Sequence, residues 1–303
     1  MNVSRLLLAP ALLSSAMPVL ANDDPVDFFG LVNVTFQSTD DGDGRFTETK
    51  SNNSRVGVKG TYDLDDGLKA IYHLEWKVDV TDLSGGDNIT GRNQYIGLQG
   101  GFGKVLIGRN DTMLKQAQGK IDQFNHLEMD IGKLWKGENR LSDTVTYVSP
   151  KLGDFSVGAT YVAEESADGD SASSVSLMYG DKLLKKSKVF AAVGVDFDVK
   201  GYDTTRVSMQ TKLDDLKIGA IFQRQEAVDT GVSKNGYLVS AAYAVDKLTY
   251  KAQIQTLEDD KVISVGADYS LGKNTKLFAF YADRNMENDP DSDWLAIGLE
   301  QKF

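Results

Sequence analysis

From residue 22 onward the chain alternates apolar and polar positions with a period of two. In GLKAIYHLEWKVD, Ala70, Tyr72, Leu74, Trp76 and Val78 share one parity, and Lys69, His73, Glu75 and Lys77 share the other. LTYKAQIQT sets Leu248, Tyr250, Ala252 and Ile254 against Thr249, Lys251, Gln253 and Gln255. DFSVGATYVA sets Phe155, Val157, Ala159 and Tyr161 against Ser156, Gly158 and Thr160. The final WLAIGLEQKF places Leu295, Ile297, Leu299 and Phe303 on one side, with Glu300 and Lys302 on the other. Successive side chains of a strand leave on opposite faces, so each stretch predicts a strand with one apolar and one wet face. SRVGVKGTY, VSLMY, TRVSMQTK and VISVGADYS fit the same pattern. Outside the first 21 residues and one long connection, no segment reads as helix.

The punctuation between these stretches alternates in kind. Short turns rich in Gly, Asp, Asn or Pro begin at residues 64, 100, 150, 180, 213, 245 and 271. Longer polar connections fall near 38–52, 80–91, 111–140, 164–173, 198–204, 227–235, 258–261 and 285–292. Seven turns alternating with eight loops predict about 16 antiparallel strands in up-and-down order, the even count that a closed bacterial barrel needs.

A soluble sandwich of two sheets about 10 Å apart would also show period-two strands. The regular turn–loop alternation, strands near ten residues long, and aromatics near the ends of apolar faces favour lipid outside and water inside. Those aromatics are Tyr62, Tyr72, Trp76, Tyr161, Tyr179, Tyr243, Tyr250, Tyr269 and Trp294. Tyrosine and tryptophan settle at membrane interfaces because their rings are apolar and their tips are not. Strands in hydrocarbon cannot leave backbone groups unpaired, so the sheet must close on itself. The expected fold is all-β, a transmembrane antiparallel up-and-down barrel.

The first residues, MNVSRLLLAPALLSSAMPVLA, carry a basic start at Arg5, an apolar stretch from Leu6 to Leu20, and Val19 and Ala21 as small residues before a cut. They read as a signal peptide over residues 1–21, leaving residues 22–303 as one exported barrel domain. The 303 residues are 41% hydrophobic with 29 glycines and 5 prolines, and no later apolar run is long enough for a membrane-spanning helix. The net charge of −11, from 33 basic and 44 acidic residues, disfavours nucleic acid as a partner and points to a mild preference for cations. With no cysteine there are no disulfides, thiolate nucleophiles or zinc-thiolate sites.

One connection is out of proportion. Residues 111–140 contain Leu114, Ile121, Phe124, Leu127, Met129, Ile131, Leu134 and Trp135, too apolar a set to wave in solvent. The loop is expected to fold inward and narrow the lumen; the alternative is a surface loop in contact with neighbouring molecules. Strand parity puts Arg55 and Lys59 on the wet face, and Arg140 with Ser142, Thr144 and Thr146. Arg92 and Arg109 sit at the ends of the strands flanking GGFG, and the loop offers Asp122, Glu128 and Asp130. Guanidinium groups facing carboxylates across a narrow wet gap make a transverse field that favours small hydrated or dipolar solutes. Taken singly, each arginine also reads as a solvated charge or a structural salt bridge. Asp143 falls on the apolar parity, which predicts a place above the apolar band or against a neighbouring subunit.

FFGLVNV near the start, SRVGVKG, GRNQYIGLQGGFGKVLIGR, the long third loop, NRLSDTVTYVSP and the terminal GLEQKF follow one another in an order that resembles Gram-negative general porins, over essentially all of residues 22–303. The resemblance implies a homotrimer of sixteen-stranded channels in the outer membrane, in contact with lipid and lipopolysaccharide and passing small hydrophilic solutes and ions without a cofactor. It implies that the third loop and the wall residues Arg55, Arg92, Arg109 and Arg140 form the constriction, opposite loop carboxylates matched in kind by Asp122, Glu128 and Asp130. It also implies that Phe303 is the signal read by the barrel-insertion machinery. Two positions depart from the family pattern: Leu31 stands where many members have lysine, and Gln301 where many have an apolar residue.

Neither His73 nor His126 has a nucleophile motif beside it, so catalysis is not expected. DDGDG, from Asp40, lacks the spacing and closing glutamate of a calcium loop, and no metal site is expected. The rival function is a channel selective for a particular sugar or anion. A sugar channel needs lumen-facing aromatics, yet most aromatics fall on the apolar parity, with Phe278 and Phe280 as the exceptions considered.

Overall fold

The computed structural model describes residues 26–82, 88–164 and 171–303; the expected signal peptide lies outside the described residues. Period-two sequence has become sixteen strands. β1 is Val26–Asp40, and β2 runs as two segments, Arg45–Ser51 and Arg55–Asp63, that pair in turn with β1. Then follow β3 (Lys69–Val78), β4 (Ile89–Gly100), β5 (Gly103–Asp111), β6 (Arg140–Val148), β7 (Phe155–Val162) and β8 (Ala172–Gly180). The second half comprises β9 (Val189–Phe197), β10 (Tyr202–Leu213), β11 (Leu216–Ala227), β12 (Ser233–Val245), β13 (Leu248–Leu257), β14 (Asp260–Ser270), β15 (Thr275–Asn285) and β16 (Ser292–Lys302). Each strand pairs antiparallel with its sequence neighbours.

The sheet has no free edge, because β1 pairs with β16 from Leu31↔Lys302 to Asp40↔Asp293. Phe303 completes the seam with two backbone hydrogen bonds to Gly30, and its ring lies where a Gly30 side chain would be. Closure satisfies the ladder groups that hydrocarbon could not.

Parity sorts the two faces by chemistry. Thr35, Gln37, Gln223 and Gln255 point inward at 0–1% exposure, whereas Phe28 is 77%, Ile96 64% and Ile297 58% exposed on the outside. An apolar exterior around a polar interior inverts the arrangement of a water-soluble core, and lipid is the solvent that suits it. Among the described residues no helix is long and apolar enough to cross a membrane, so the crossing is made by strands.

Turns and loops alternate between the two ends of the barrel, but the loops are shorter than the polar runs predict. The stretch 38–52 is mostly hairpin, since β1 continues to Asp40 and β2 begins at Arg45. The expected loop at 258–261 is a two-residue turn, Glu258–Asp259, with Glu258 at φ 52°. Polarity misled here because strand ends that rise beyond an apolar band are polar on both faces.

Three irregularities also break simple parity. β2 is interrupted at residues 52–54, where Asn53 has φ 54° and Asn52 turns inward to bond Asn33 and Thr35. The register of β3 with β4 shifts between Leu74 and Trp76, and that of β5 with β6 between Gly108 and Asn110. Bulges of this kind re-aim neighbouring side chains. Asp143 lies in the second bulge, exposed and at φ 53°, which accounts for a carboxylate on the apolar parity.

Candidate functional site

Residues 112–139 leave β5 and return at β6 across the inner wall. Thr112 caps a short helix, α1 (Met113–Ala117), by accepting from the Lys115 amide, and Asp130 caps a single 3-10 turn over Ile131–Lys133. Inward polar side chains of the wall tie the segment down. Ser174 Oγ accepts from the Leu114 amide at 2.9 Å, and Ser240 Oγ donates to the Ile121 carbonyl at 2.6 Å. Gln255 Nε2 donates to the Ile131 carbonyl at 3.0 Å, and the Trp135 indole N–H donates to the Thr256 carbonyl at 2.8 Å.

The wall carries glycine where the segment lies closest. A side chain on Gly219 would meet Ile121 Cγ2 at 2.7 Å, and one on Gly236 would meet the Trp135 indole at 2.6 Å. Two apolar patches complete the contact. Ile121, Ile131 and Trp135 pack with Ile221, Leu238 and Leu257; Phe124, Leu127 and Met129 pack with Val262, Phe278, Phe280 and Trp294. Trp294, read from the sequence as an interface aromatic on the outer face, is therefore an inward residue: it sits one position from the outward Leu295 and is 5% exposed under the segment. Burying a side chain of this size contributes roughly 1.5–3 kcal/mol, so the segment is held by its apolar anchors more than by any one hydrogen bond.

Charge inside the contact is paired. Arg206 is fully buried; its Nη1 lies 2.6 Å from Glu138 Oε1, and its Nε donates to Gln223 Oε1 at 2.8 Å. Burial pushes the Glu138 carboxyl up, and Arg206 opposes it. Asp122 accepts from the Phe124 and Ile131 amides and from Gln253 Nε2. Burial, then the nearby Asp130, nevertheless push its carboxyl up to about 7. His126 moves the other way, lowered to about 3 by burial and then by Arg55 and Arg92.

These two shifts oppose each other in their effect on docking. The docked Asp122 holds its proton more tightly than an undocked carboxyl, so its contribution is full below the ordinary value of 3.8 and is lost as pH rises to about 7. The docked His126 holds its proton less tightly, so its contribution is present above the ordinary 6.5 and is lost as pH falls toward about 3. These two effects should therefore largely offset each other across the shared window, whereas Asp122→Asn removes one of the carboxyls that oppose the histidine and should make docking looser on acidification than in the parent. Protease nicking of the segment against pH measures this; parallel curves for parent and variant would contradict it.

Beside the segment lies a cavity of about 610 Å³. Arg55 Nε and Arg92 Nε share Glu75, at 3.1 Å and 3.0 Å. Arg140 Nη2 lies 3.0 Å from Asp111, which also meets Lys115 at 3.3 Å, and Arg140 Nε donates to Asn93. The β3–β4 register shift lets the neighbours Arg92 and Asn93 both reach this cavity. Glu128 pairs with Lys50 at 2.5 Å. Asp130 is turned to the segment itself, accepting from the His126 and Gly132 amides.

Of the residues singled out in the sequence, Arg55, Arg92, Arg140, Asp122, Glu128 and Asp130 line this cavity. Arg109 does not. It pairs with Gln94 on the parity of the exposed Ile96 and Ile107, and its guanidinium donates to Ser142 Oγ at 3.1 Å. The arginines are met by the wall acids Glu75 and Asp111 rather than directly by carboxylates of the segment. Glu75 was visible on the wet parity of GLKAIYHLEWKVD; Asp111, at the strand's end, carried no such mark.

The cavity is lined by nine basic and six acidic side chains, an excess opposite in sign to the chain's −11. His73 stacks on Tyr95 with ring centroids 5.4 Å apart, and His126 Nδ1 contacts Asn53 at 3.4 Å. Among the described residues no three His, Cys, Asp or Glu groups could hold a metal ion. Opposed charges of this kind can orient water, ions and dipoles.

Comparison with known proteins agrees with this architecture. Major outer membrane protein P.IB of Neisseria meningitidis serogroup B / serotype 15 (strain H44/76) is 27% identical over 337 aligned residues, covering 97% of this chain and 98% of the relative. Outer membrane porin protein 32 of Delftia acidovorans is 25% identical, covering 98% and 92%. Among solved structures, an anion-selective porin from Comamonas acidovorans superposes with a TM-score of 0.70 at 18% identity, covering 92% of this chain and 100% of that one. Salmonella typhi OmpF in complex with daunomycin superposes with 0.73 at 14% identity, covering 92% and 97%. The model of the Gram-negative porin family matches residues 7–289, and the chain belongs to that family.

Proposed function

We propose that this porin is a non-specific passage for small hydrophilic solutes and ions, narrowed by residues 112–139 and charged by Arg55, Arg92, Arg140, Glu75 and Asp111. That it is an outer-membrane channel and not an enzyme follows from its family. The observation that carries the finer reading is a wet, charged cavity bounded on one side by the segment and on the other by the barrel wall. Phe278 and Phe280, the aromatics that a sugar path would use, are 4% exposed beneath the segment, which weighs against a sugar-selective channel.

The basic majority of the lining makes anions the preferred ions, in place of the cation preference that the total charge suggests. The Comamonas porin is anion-selective, the same direction as proposed here. We further take residues 22–303 as the exported domain after loss of residues 1–21, a homotrimer as its assembly, lipopolysaccharide among its surroundings, and Phe303 as its barrel-assembly signal.

Replacing Arg55 and Arg140 together with alanine is expected to enlarge single-channel conductance and move the reversal potential in a salt gradient toward cations. Planar-bilayer recording checks both. A parent that already prefers cations, or a double variant with unchanged currents, would contradict the proposed constriction.

A further inference from the structure

We propose that the turn-end half of the lumen contains a binding site for multivalent oxyanions of the pyrophosphate class, formed by Lys120, Lys182, Lys212 and Lys217. The site rests on the channel reading above and names a solute class that this part of the channel collects. It is a second cavity, of about 560 Å³, lined by seven lysines and three aspartates. Three of the lysines are neutralised locally: Lys251 and Lys276 meet Asp268 at 2.7 Å and 2.9 Å, and Lys302 meets Glu300 at 3.1 Å. The other four have no ion pair among the described residues.

Their placement is not that of scattered surface charge. Lys212 and Lys217 are direct register partners on adjacent strands, on the inward parity shared by Gly219. Like charges directly opposite destabilise a sheet, and a bound anion between them would remove that cost. Lys182 is held over the same strand, because Gln210 Nε2 donates to its carbonyl at 2.6 Å. Lys120 comes from the inward segment, and the enclosing walls and then Lys182 lower its ammonium below the ordinary lysine value.

Four exposed ammonium groups, none held in an ion pair among the described residues, share a lining whose remaining acids are Asp122 and Asp215, so the cavity keeps a net positive potential that the low-dielectric barrel wall focuses. Lysine binds phosphate oxygens as a compact point charge, with none of the planar matching of arginine. The site is therefore selective for charge number rather than shape. A chloride ion can neutralise one ammonium at a time, and pyrophosphate several at once.

The test records chloride current through the full chain in planar bilayers while sodium pyrophosphate is added, with sodium sulfate at matched ionic strength for comparison. Saturable block by pyrophosphate is expected, with a half-blocking concentration roughly tenfold higher in Lys212→Gln/Lys217→Gln, as loss of charge-assisted contacts implies. Lys217→Gln alone should shift it in the same direction by less. Current unaffected by pyrophosphate in the parent chain overturns the inference, as does block that survives in the lysine variants and is lost in Arg55→Ala/Arg140→Ala. Failure of the channel reading would look different: no chloride current before any pyrophosphate is added.

Discussion

Replacing Arg206 with alanine is expected to destabilise the docked segment by about 3–5 kcal/mol, the usual cost of removing one partner from a buried ion pair. Arg206 is fully buried and supplies the charge that opposes the upward push of burial on the Glu138 carboxyl. Without it, Glu138 must take up a proton or carry its charge into the lumen, and either outcome loosens residues 136–138 from Gln223. The measurement is the heat-induced shift of the folded band in mild detergent, together with open-channel noise. Arg206→Met combined with Glu138→Leu should recover most of the loss, because removing both charges leaves neither stranded. Equal stability of the alanine variant and the parent would mean that this pair does not anchor the segment.

Trp135→Ala has the second large effect. The side chain is 2% exposed, packs on Gly236, Ile221, Leu238 and Leu257, and donates to the Thr256 carbonyl. Truncating a buried tryptophan costs about 3–5 kcal/mol, here drawn from docking rather than from the ladder of the barrel. Single-channel conductance should rise and become noisier while the folded band stays intact. Unchanged conductance would mean that the segment does not narrow the conducting path.

Both effects act on a segment whose inward fold was legible, because Ile121, Phe124, Ile131 and Trp135 demand cover that a loop in water cannot give. The barrel was legible for a related reason: clean alternation from Ala70 to Val78, or from Leu248 to Gln255, has one meaning when both faces meet a solvent. Arg55 was readable because Val56 and Val58 set its parity without interruption. Arg109 was misread because it was placed by its position at a strand end and by the family resemblance, although it shares its parity with Val105 and the outward Ile107. Total charge and the lumen lining point in opposite directions for a different reason. Net charge is summed over every surface, whereas selectivity depends on the few groups lining the lumen, where lysines and arginines outnumber acids. The lysine-rich cavity was similarly invisible, since Lys120, Lys182, Lys212 and Lys217 come from three separate parts of the chain.

The chain has no cysteine, so one thiol can be introduced at a time and read without background. Thr249 lines the turn-end cavity, and Ile297 is 58% exposed on the outer face of β16. With the protein in lipid vesicles, a charged water-soluble thiol reagent should modify Thr249→Cys rapidly and leave Ile297→Cys untouched, while a lipid-soluble reagent should reverse that order. Rapid labelling of Ile297→Cys by the charged reagent, with Thr249→Cys protected from it, would contradict a wet interior wrapped by an exterior that faces lipid.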